Sequence, residues 1–289
     1  MSKIKYFSTD IPRRKFLKDS IKGGAVIATA PAMLMNMLSC KSATQPPAAD
    51  IGKAELNRII QKALEKGGDF ADIYVESRIT RTIKMEESKF KSAEFGISQG
   101  AGVRVMSGDK TGYAYTETVN ETNLLKAAET ASYVAARGVK IQPVNIEREP
   151  RPSYISVNIP LGEVADQQRL DVMQRADQAA LDYDPRIQMT QISYYDEVRE
   201  RMIANSEGLW VEDQLPLMFF IVQTLAAGNN TRHMGRERLS KHMGFEMFES
   251  YPPEEVALRA ARESVDMLDA EDCPAGKMDV VMENGWGGV

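Results

Sequence analysis

The chain has 289 residues, of which 43% are hydrophobic and 27% are charged, so it can bury a core and is not wholly disordered. Its mean hydropathy of −0.35 excludes a polytopic membrane protein. Residues 1–40 contain seven Lys or Arg against two Asp, whereas the rest of the chain contains 29 basic and 39 acidic residues. Because phosphate binding requires clustered positive charge, this acidic body argues against nucleic acid as the main partner.

Residues 1–40 have the features of an export signal. A basic segment contains the pair Arg13 and Arg14 followed by Phe16 and Leu17, and an apolar stretch covers residues 23–38. That stretch is shorter than the roughly 20 residues that a membrane-spanning helix needs. A basic and then an apolar region is typical of a removable signal, and the arginine pair resembles the twin-arginine signal of bacteria. The alternative is an ordinary amphipathic N-terminal helix.

The end of the apolar stretch leaves two interpretations open. Residues 38–40, Leu-Ser-Cys, resemble a lipoprotein box with the leucine one place nearer the cysteine than usual. A diacylated Cys40 would anchor the protein to a membrane, because two buried chains suffice for stable attachment. Otherwise Cys40 is an unmodified thiol that is discarded with the signal. We therefore expect export by the twin-arginine route to the periplasm or a membrane-anchored place in the cell envelope, with residues 41–50 as a tether.

Hydrophobic periodicity predicts an α+β domain at residues 51–140. Apolar residues at helical spacing predict two helices, and period-two alternation between them predicts strands that include a β-hairpin. The predicted helices cover residues 51–66 and 121–137, and the predicted strands cover residues 71–77, 79–85, 94–99, 103–106 and 111–116.

A charged connection at residues 141–152 leads to a second predicted domain at residues 154–276. Its predicted helices cover residues 162–181 and 252–268, and its predicted strands cover residues 187–198, 200–204, 209–213 and 217–225. A last strand is predicted at residues 278–282. The predicted fold class is therefore α+β, with two consecutive units of mainly antiparallel sheet packed with helices.

Few residues are available for catalysis or metal binding. His233, His242 and Cys273 could converge on a metal, but their spacing does not align them on a helix, and two polar histidines in a loop are the alternative. The basic run at residues 232–241 indicates either a solvated face or a contact with an anion. No G-x-S-x-G motif is present, and the glycines at residues 100–102 precede a strand rather than a helix. We therefore predict no catalytic residue and no metal ligand.

The glycine-rich segment at residues 283–289 follows the last predicted strand and carries Trp286 and Val289. Such a turn normally leads into a further element. We therefore expect residues 277–289 to be the start of a C-terminal domain in a longer protein; a complete chain with a loose tail is the alternative.

Several segments together resemble the TldD/PmbA family of bacterial metallopeptidases. Their order and spacing over residues 51–289 carry the resemblance more than any single motif does. The segments are Ala-Asp-Ile-Tyr-Val-Glu at 71–76, Gly-Ala-Gly-Val-Arg-Val at 100–105 with Gly-Tyr-Ala at 112–114, Asp-Pro-Arg-Ile at 184–187, Ser-Tyr-Tyr at 193–195, Ile-Ala-Asn-Ser-Glu-Gly at 203–208, and residues 278–289.

The resemblance implies zinc-assisted hydrolysis of small or unfolded peptides, in which a metal-bound water is activated and a glutamate acts as general base. In the family, an H-E-x-x-x-H helix follows a turn like the Gly-Trp-Gly-Gly at 285–288, so none of its catalytic or zinc-binding residues matches a position in this chain. The resemblance also implies that residues 51–289 form walls of a proteolytic chamber.

Members of the family often pair with a related chain, so the resemblance implies a homo- or heterodimer. Two alternatives to the peptidase stay open at this point. One is a non-catalytic companion subunit or envelope peptide-binding lipoprotein, and the other is a structural lipoprotein domain unrelated to proteolysis.

Overall fold

The computed structural model describes residues 51–134, 142–150, 155–228 and 230–282. In that part of the chain, no helix is long and apolar enough to cross a membrane. The elements in chain order are α1 (Lys53–Leu64), β1 (Phe70–Glu86), β2 (Lys89–Ser107), β3 (Lys110–Thr116), α2 (Glu121–Val134), β4 (Glu147–Arg148), α3 (Asp166–Tyr183), β5 (Ile187–Asn205), β6 (Leu209–Gly228), β7 (Thr231–Lys241), α4 (Met247–Ser250) and α5 (Pro253–Asp266).

The strands form one seven-stranded sheet in the order β3-β2-β1-β5-β6, and β4 and β7 both pair with β6. All pairings are antiparallel except that of β4 with β6. The hairpins β1-β2 and β5-β6 are joined because β1 pairs with β5 along nearly its whole length. The predicted α+β class is confirmed, and the strands of the two predicted domains share this sheet.

The four central strands are longer than the sequence predicts. β1, β2, β5 and β6 contain 17, 19, 19 and 20 residues. The expected interruptions at Arg78, at Arg199 and at residues 214–216 lie inside continuous strands. Pro216 is tolerated because it lies where β6 is an edge, between the segments that pair with β4 and β7.

One hydrophobic core lies between α1, α2 and one end of the sheet. Its side chains on β1 and β2 alternate with polar ones, as expected for a sheet that is covered on one face. The largest fully buried side chains of this core are Leu56, Ile59, Ile60, Ile73, Leu124 and Ile146.

A second core lies between α3, α4, α5 and the other end of the same sheet. Phe248 of α4 contacts Phe220 edge-on at 5.1 Å between ring centroids and stacks on Tyr194 at 6.3 Å. Such aromatic pairs stabilise a core beyond the area that they bury. Fully buried aliphatic members include Met173, Ile192, Met218 and Val222.

Two local predictions are wrong. No strand is predicted at residues 232–241, where a loop is one of the interpretations of the two histidines, yet these residues lie in β7, which pairs with the second half of β6. Residues 278–282 were predicted as a strand, yet the structure assigns them none, and the side chain of Val281 is 99% exposed. Their apolar pattern has no neighbouring strand to pair with in the part of the chain that the structure describes.

Candidate functional site

The residues that the sequence predicts for export and anchoring, Arg13, Arg14, Phe16, Leu17 and Cys40, lie outside the described residues.

The histidines and the cysteine do not form a common site. His233 lies in β7, whereas the Nδ1 atom of the exposed His242 is 2.8 Å from the carbonyl oxygen of Pro216. Cys273 is exposed beyond α5. Within the described residues, no three His, Cys, Asp or Glu side chains converge to hold a metal ion. These residues therefore do not fit the zinc ion that the family resemblance implies.

A groove lies on the helix-bearing face of the sheet, between the two cores. Side chains two residues apart on a strand share a face. Val75 contributes to the first core and Ile83 to the second, so Ser77, Ile79 and Arg81, which share this face, lie between the two cores. The groove encloses about 290 Å³ and is lined by Val75, Ser77, Glu200, Arg201, Met202, Glu212, Asp213 and Gln214.

Two glutamates, Glu200 and Glu212, are among the residues that line this groove. Glu200 accepts a hydrogen bond from Gln214 at 3.1 Å, and Glu212 accepts one from the indole N–H of Trp210 at 3.1 Å. Glu212 also pairs with Arg148, whose guanidinium lies over the ring of Trp210. Val75 and Met202 supply apolar surface. The groove therefore offers acidic and apolar groups for binding.

A buried charged cluster lies at the border between the groove and the second core. Arg169 of α3 donates to Asp196 of β5 at 2.9 Å, and both side chains are almost fully buried. Asp196 also accepts a hydrogen bond from Tyr194 at 2.7 Å and one from Arg81 at 3.4 Å. The remaining guanidinium donors of Arg169 bind the carbonyl oxygens of residues 161 and 164 at 2.6 and 2.7 Å. The cluster is therefore fully hydrogen-bonded, as a buried charge requires.

The protonation states in this cluster follow from burial and charge. Burial alone would lower the pKa of the Arg169 guanidinium, but the charge of the Asp196 carboxylate and its hydrogen bond to Arg169 outweigh burial and raise it. Burial is the largest effect that raises the pKa of Tyr194 well above its ordinary value. The negative charge of the neighbouring Asp196 carboxylate raises it further. Arg169 therefore stays charged and Tyr194 stays a neutral donor over the physiological pH range.

A second charged network lies on the opposite, helix-free face of the sheet. Glu197 accepts hydrogen bonds from Tyr195 at 2.5 Å and from Arg199 at 2.9 Å, and it forms an ion pair with Arg78 at 3.2 Å. Burial alone would raise the pKa of Glu197, but these hydrogen bonds and charges outweigh it and lower that pKa. Nearby, burial and a hydrogen bond to Glu76 raise the pKa of Tyr74 to about 12.

The sequence analysis singled out none of these charged residues. The consecutive acids Asp196 and Glu197 in the middle of a predicted strand were the available signal, because alternation sends neighbouring side chains to opposite faces. Their partners on α3 and β1 are distant in sequence, so only the strand register brings them together.

Comparisons with known proteins agree with this fold. Residues 71–135 match the sequence family described as PmbA/TldA metallopeptidase domain 1. Residues 159–268 match the family described as the PmbA/TldA metallopeptidase central domain. A metalloprotease TldD homolog of Haemophilus influenzae is 27% identical over 262 residues, which are 88% of this chain and 54% of that protein. A metalloprotease of Methanocaldococcus jannaschii is 25% identical, over 80% of this chain and 51% of that protein.

Solved structures share the fold at low sequence identity. A Thermotoga maritima protein solved as a candidate modulator of DNA gyrase superimposes with a TM-score of 0.63 at 19% identity, over 78% of this chain and 50% of that one. TldE from Thermococcus kodakarensis superimposes with a TM-score of 0.59 at 13% identity, over 73% and 47% of the two chains. The chain thus spans about half the length of the curated relatives that it matches. On these two consecutive domain matches, the chain belongs to the TldD/PmbA family of metallopeptidases.

Proposed function

We propose that this chain is the N-terminal and central part of an exported TldD/PmbA-type zinc metallopeptidase that acts on small or unfolded peptides. The observation that carries the proposal is the match to two consecutive domains of the family, within relatives that are named metalloproteases and are about twice as long. The zinc ligands and the catalytic glutamate belong to the half of the protein that these domains precede.

In this proposal the described fold is a wall of the peptide chamber. When bound elsewhere in the protein, zinc supplies the activated water for amide hydrolysis. The residues of this chain hold and orient the peptide instead. Glu200 and Glu212 line the groove, where a peptide amino group or a basic side chain would bind Glu200 and would compete with Arg148 for Glu212.

The proposal is tested on the native gene product. We expect bound zinc by elemental analysis and hydrolysis of unfolded peptides. Replacing Glu200 and Glu212 together by glutamine should raise KM for a peptide with a free amino terminus and leave kcat unchanged, because only substrate binding is weakened. The exposed Glu249→Gln, in α4 and away from the groove, is the matched control.

Two other results would change the assignment. A protein that binds unfolded peptides but has neither zinc nor hydrolytic activity would be the companion subunit or peptide-binding lipoprotein. A protein that neither binds nor hydrolyses unfolded peptides would count as a structural lipoprotein domain, and the peptidase proposal would be abandoned.

Export by the twin-arginine route and lipidation of Cys40 are part of the same proposal. A reporter fused to residues 1–50 should reach the periplasm, and the double change Arg13→Lys and Arg14→Lys should block its transport. Labelling with radioactive palmitate should depend on Cys40 and be lost in Cys40→Ser. Transport that persists with both arginines replaced would remove the export route from the proposal.

We also propose that the protein works as a dimer with a second, related chain. The family membership supports this, and one structural neighbour is a protein named TldE. Sedimentation of the native gene product tests the pairing.

A further inference from the structure

The groove between the two cores contains a buried hydroxyl without a partner. Ser77 of β1 is only 9% exposed, and it lines the groove. Among the described residues, no group forms a hydrogen bond with this hydroxyl, which is accessible from the groove. Leaving a buried polar group unpaired costs free energy, so such a group indicates a place where a ligand supplies the missing hydrogen bond.

Ser77 belongs to a polar row that crosses the sheet, defined by Ser77, Glu200 and Gln214. The register places Glu200 of β5 directly opposite Ser77, and Gln214 of β6 directly opposite Glu200. Directly opposite residues have Cβ atoms about 4.5–5.5 Å apart, so one small group can contact both Ser77 and Glu200. The side-chain amide of Gln214 donates to the Glu200 carboxylate at 3.1 Å and thereby orients it.

Aliphatic side chains border the polar row on both sides. Val75 lies opposite Met202 on one side, and Ile79 lies opposite Val198 on the other. Successive side chains on one face of a strand are about 6.6 Å apart, so the polar row is one residue wide. Apolar surroundings lower the local dielectric, which strengthens the attraction between the Glu200 carboxylate and a cation.

We propose that the polar row binds the primary ammonium group of a peptide, from a lysine side chain or from a free amino terminus. Glu200 supplies the counter-charge, and the Ser77 hydroxyl accepts one of the three ammonium N–H bonds. The excess of acidic over basic residues after residue 40, 39 against 29, favours the approach of a cationic peptide. The inference rests on the proposed function, which places a peptide in this groove.

An ammonium group fits the polar row better than a guanidinium group does. Its charge is compact, and its three donors can be shared between a carboxylate and a neighbouring hydroxyl. A guanidinium is planar and pairs best with both oxygens of one carboxylate, which leaves the Ser77 hydroxyl unused. The site should therefore distinguish lysine from arginine, although both side chains carry one positive charge.

The test measures peptide binding to the native gene product by stopped-flow fluorescence anisotropy, before hydrolysis proceeds. The peptides carry a dye at the carboxyl end and have lysine, arginine or norleucine at one central position. One set is acetylated at the amino terminus and the other is free. Relative to the acetylated norleucine peptide, we expect about tenfold tighter binding when a lysine or a free amino terminus is present, and a smaller gain with arginine.

Variants identify the groups that recognise the ammonium ion. Ser77→Ala should remove most of the preference for the ammonium-bearing peptides and leave binding of the acetylated norleucine peptide unchanged. Glu200→Gln should have the same effect, because it removes the counter-charge. Ser98→Ala is the matched control: Ser98 is exposed, and its pairing with Arg78 places it on the helix-free face.

Thermal unfolding separates a peptide site from a surface that the rest of the protein covers. Ser77→Ala removes a hydroxyl without a partner, so it should leave Tm unchanged or raise it. A lower Tm together with unchanged peptide binding would show that another part of the protein already binds this hydroxyl, and the inference would be overturned.

The binding results separate this inference from the proposed function. A preference for an ammonium group that is lost in Ser77→Ala supports the inference, and the acetylated and free sets show which source the site takes. Equal binding of the lysine, arginine and norleucine peptides, with hydrolysis intact, would overturn the inference and leave the proposed function standing. A native gene product that binds none of the peptides would overturn both.

Discussion

At the scale of single residues, the charges that matter most are those that the sheet and α3 remove from water. Arg169 and Asp196 have almost no exposed side-chain surface, and each makes several hydrogen bonds. Breaking a buried pair leaves an uncompensated charge, which costs far more than the pair contributes. By contrast, the ion pair between Arg175 and Glu254 remains largely exposed.

We predict that Asp196→Asn lowers the free energy of unfolding by about 3–5 kcal/mol, because it removes the buried counter-charge of Arg169 and leaves only Asp166, whose side chain is 53% exposed. Urea unfolding followed by circular dichroism measures the change. Arg175→Gln breaks the exposed pair and should cost less than about 1 kcal/mol. Equal losses in the two variants would show that Asp196 does not hold a buried charge.

The lowered pKa of Glu197 makes stability depend on pH. The folded state favours the charged carboxylate of Glu197 more than the unfolded state does. In the unfolded state, the pKa of this carboxyl group is near 4.5. The contribution of Glu197 is therefore complete above that value and is lost as the pH falls through the lower, folded pKa.

We predict that the stability difference between the wild type and Glu197→Gln shrinks as the solution is acidified from about pH 6 to pH 3. Urea unfolding at each pH measures it. Tyr195→Phe removes one hydrogen bond to Glu197 and should weaken the same dependence without abolishing it. A difference that is constant with pH would contradict the assignment.

At the scale of elements, α5 is held against β6 and β7 by close backbone contact. The hydroxyl of Thr224 donates to the carbonyl of Ala260 at 2.9 Å and also lies 2.9 Å from the Ser264 hydroxyl. Opposite Thr224 in the sheet, Gly235 allows the helix to approach, since a Cβ there would collide with the Ala260 carbonyl and lie 2.6 Å from the Ser264 nitrogen.

We therefore predict that Gly235→Ala destabilises the protein by about 1–3 kcal/mol, the usual cost of forcing extra volume into a packed contact. Gly162→Ala is the control, because a Cβ at Gly162 would meet no atom within 4 Å. Thermal unfolding of both variants measures the effect. If the two melted alike, α5 would have to lie farther from the sheet than described.

Elements were predicted well where polarity alternates and poorly where it does not. The helix at residues 51–66 is α1, and the alternating segments around it lie in β1 and β2. The predicted strands stop on either side of Arg78 and Arg199, yet both side chains lie on the helix-free face, where charge is compatible with a continuous strand. β7 was missed because the residues that share the face of Gly235, which approaches α5, include His233, Glu237 and Lys241, so polarity does not alternate along the strand.

The candidate groove could not be predicted from the sequence. Its lining comes from β1, β5 and β6, and only the register between these strands brings Ser77 and Val75 beside Glu200 and Gln214. Local patterns report which face a side chain occupies, but not which distant strand lies next to it. The family resemblance depends on sequence motifs rather than on strand register, so it could be recognised from the sequence.

At the scale of the whole molecule, two hydrophobic cores are built on one sheet. β1 and β5 pass from the core beneath α1 to the core beneath α5 and pair with each other throughout. Separating the cores would therefore break the hydrogen bonds in the middle of long strands. We expect the two ends to unfold together.

We predict that Phe220→Ala, in the second core, lowers the unfolding midpoint that Trp210 reports from the first core. The cavity left by a buried phenylalanine costs about 3–5 kcal/mol. Trp210 fluorescence in a Trp286→Phe background, compared with circular dichroism, measures this. Ile73→Ala in the first core should shift the same single transition. A Trp210 midpoint that is insensitive to Phe220→Ala would show two independently folding parts.

The length of the central strands also determines how the molecule can move. At about 3.3 Å per residue, a strand of 17 residues such as β1 extends about 56 Å. Because no loop interrupts it between the two helix layers, the structure has no hinge there about which they could bend. Any partner that fixes the orientation of one end of the sheet therefore fixes the other, and the central groove is a rigid surface rather than a closing cleft.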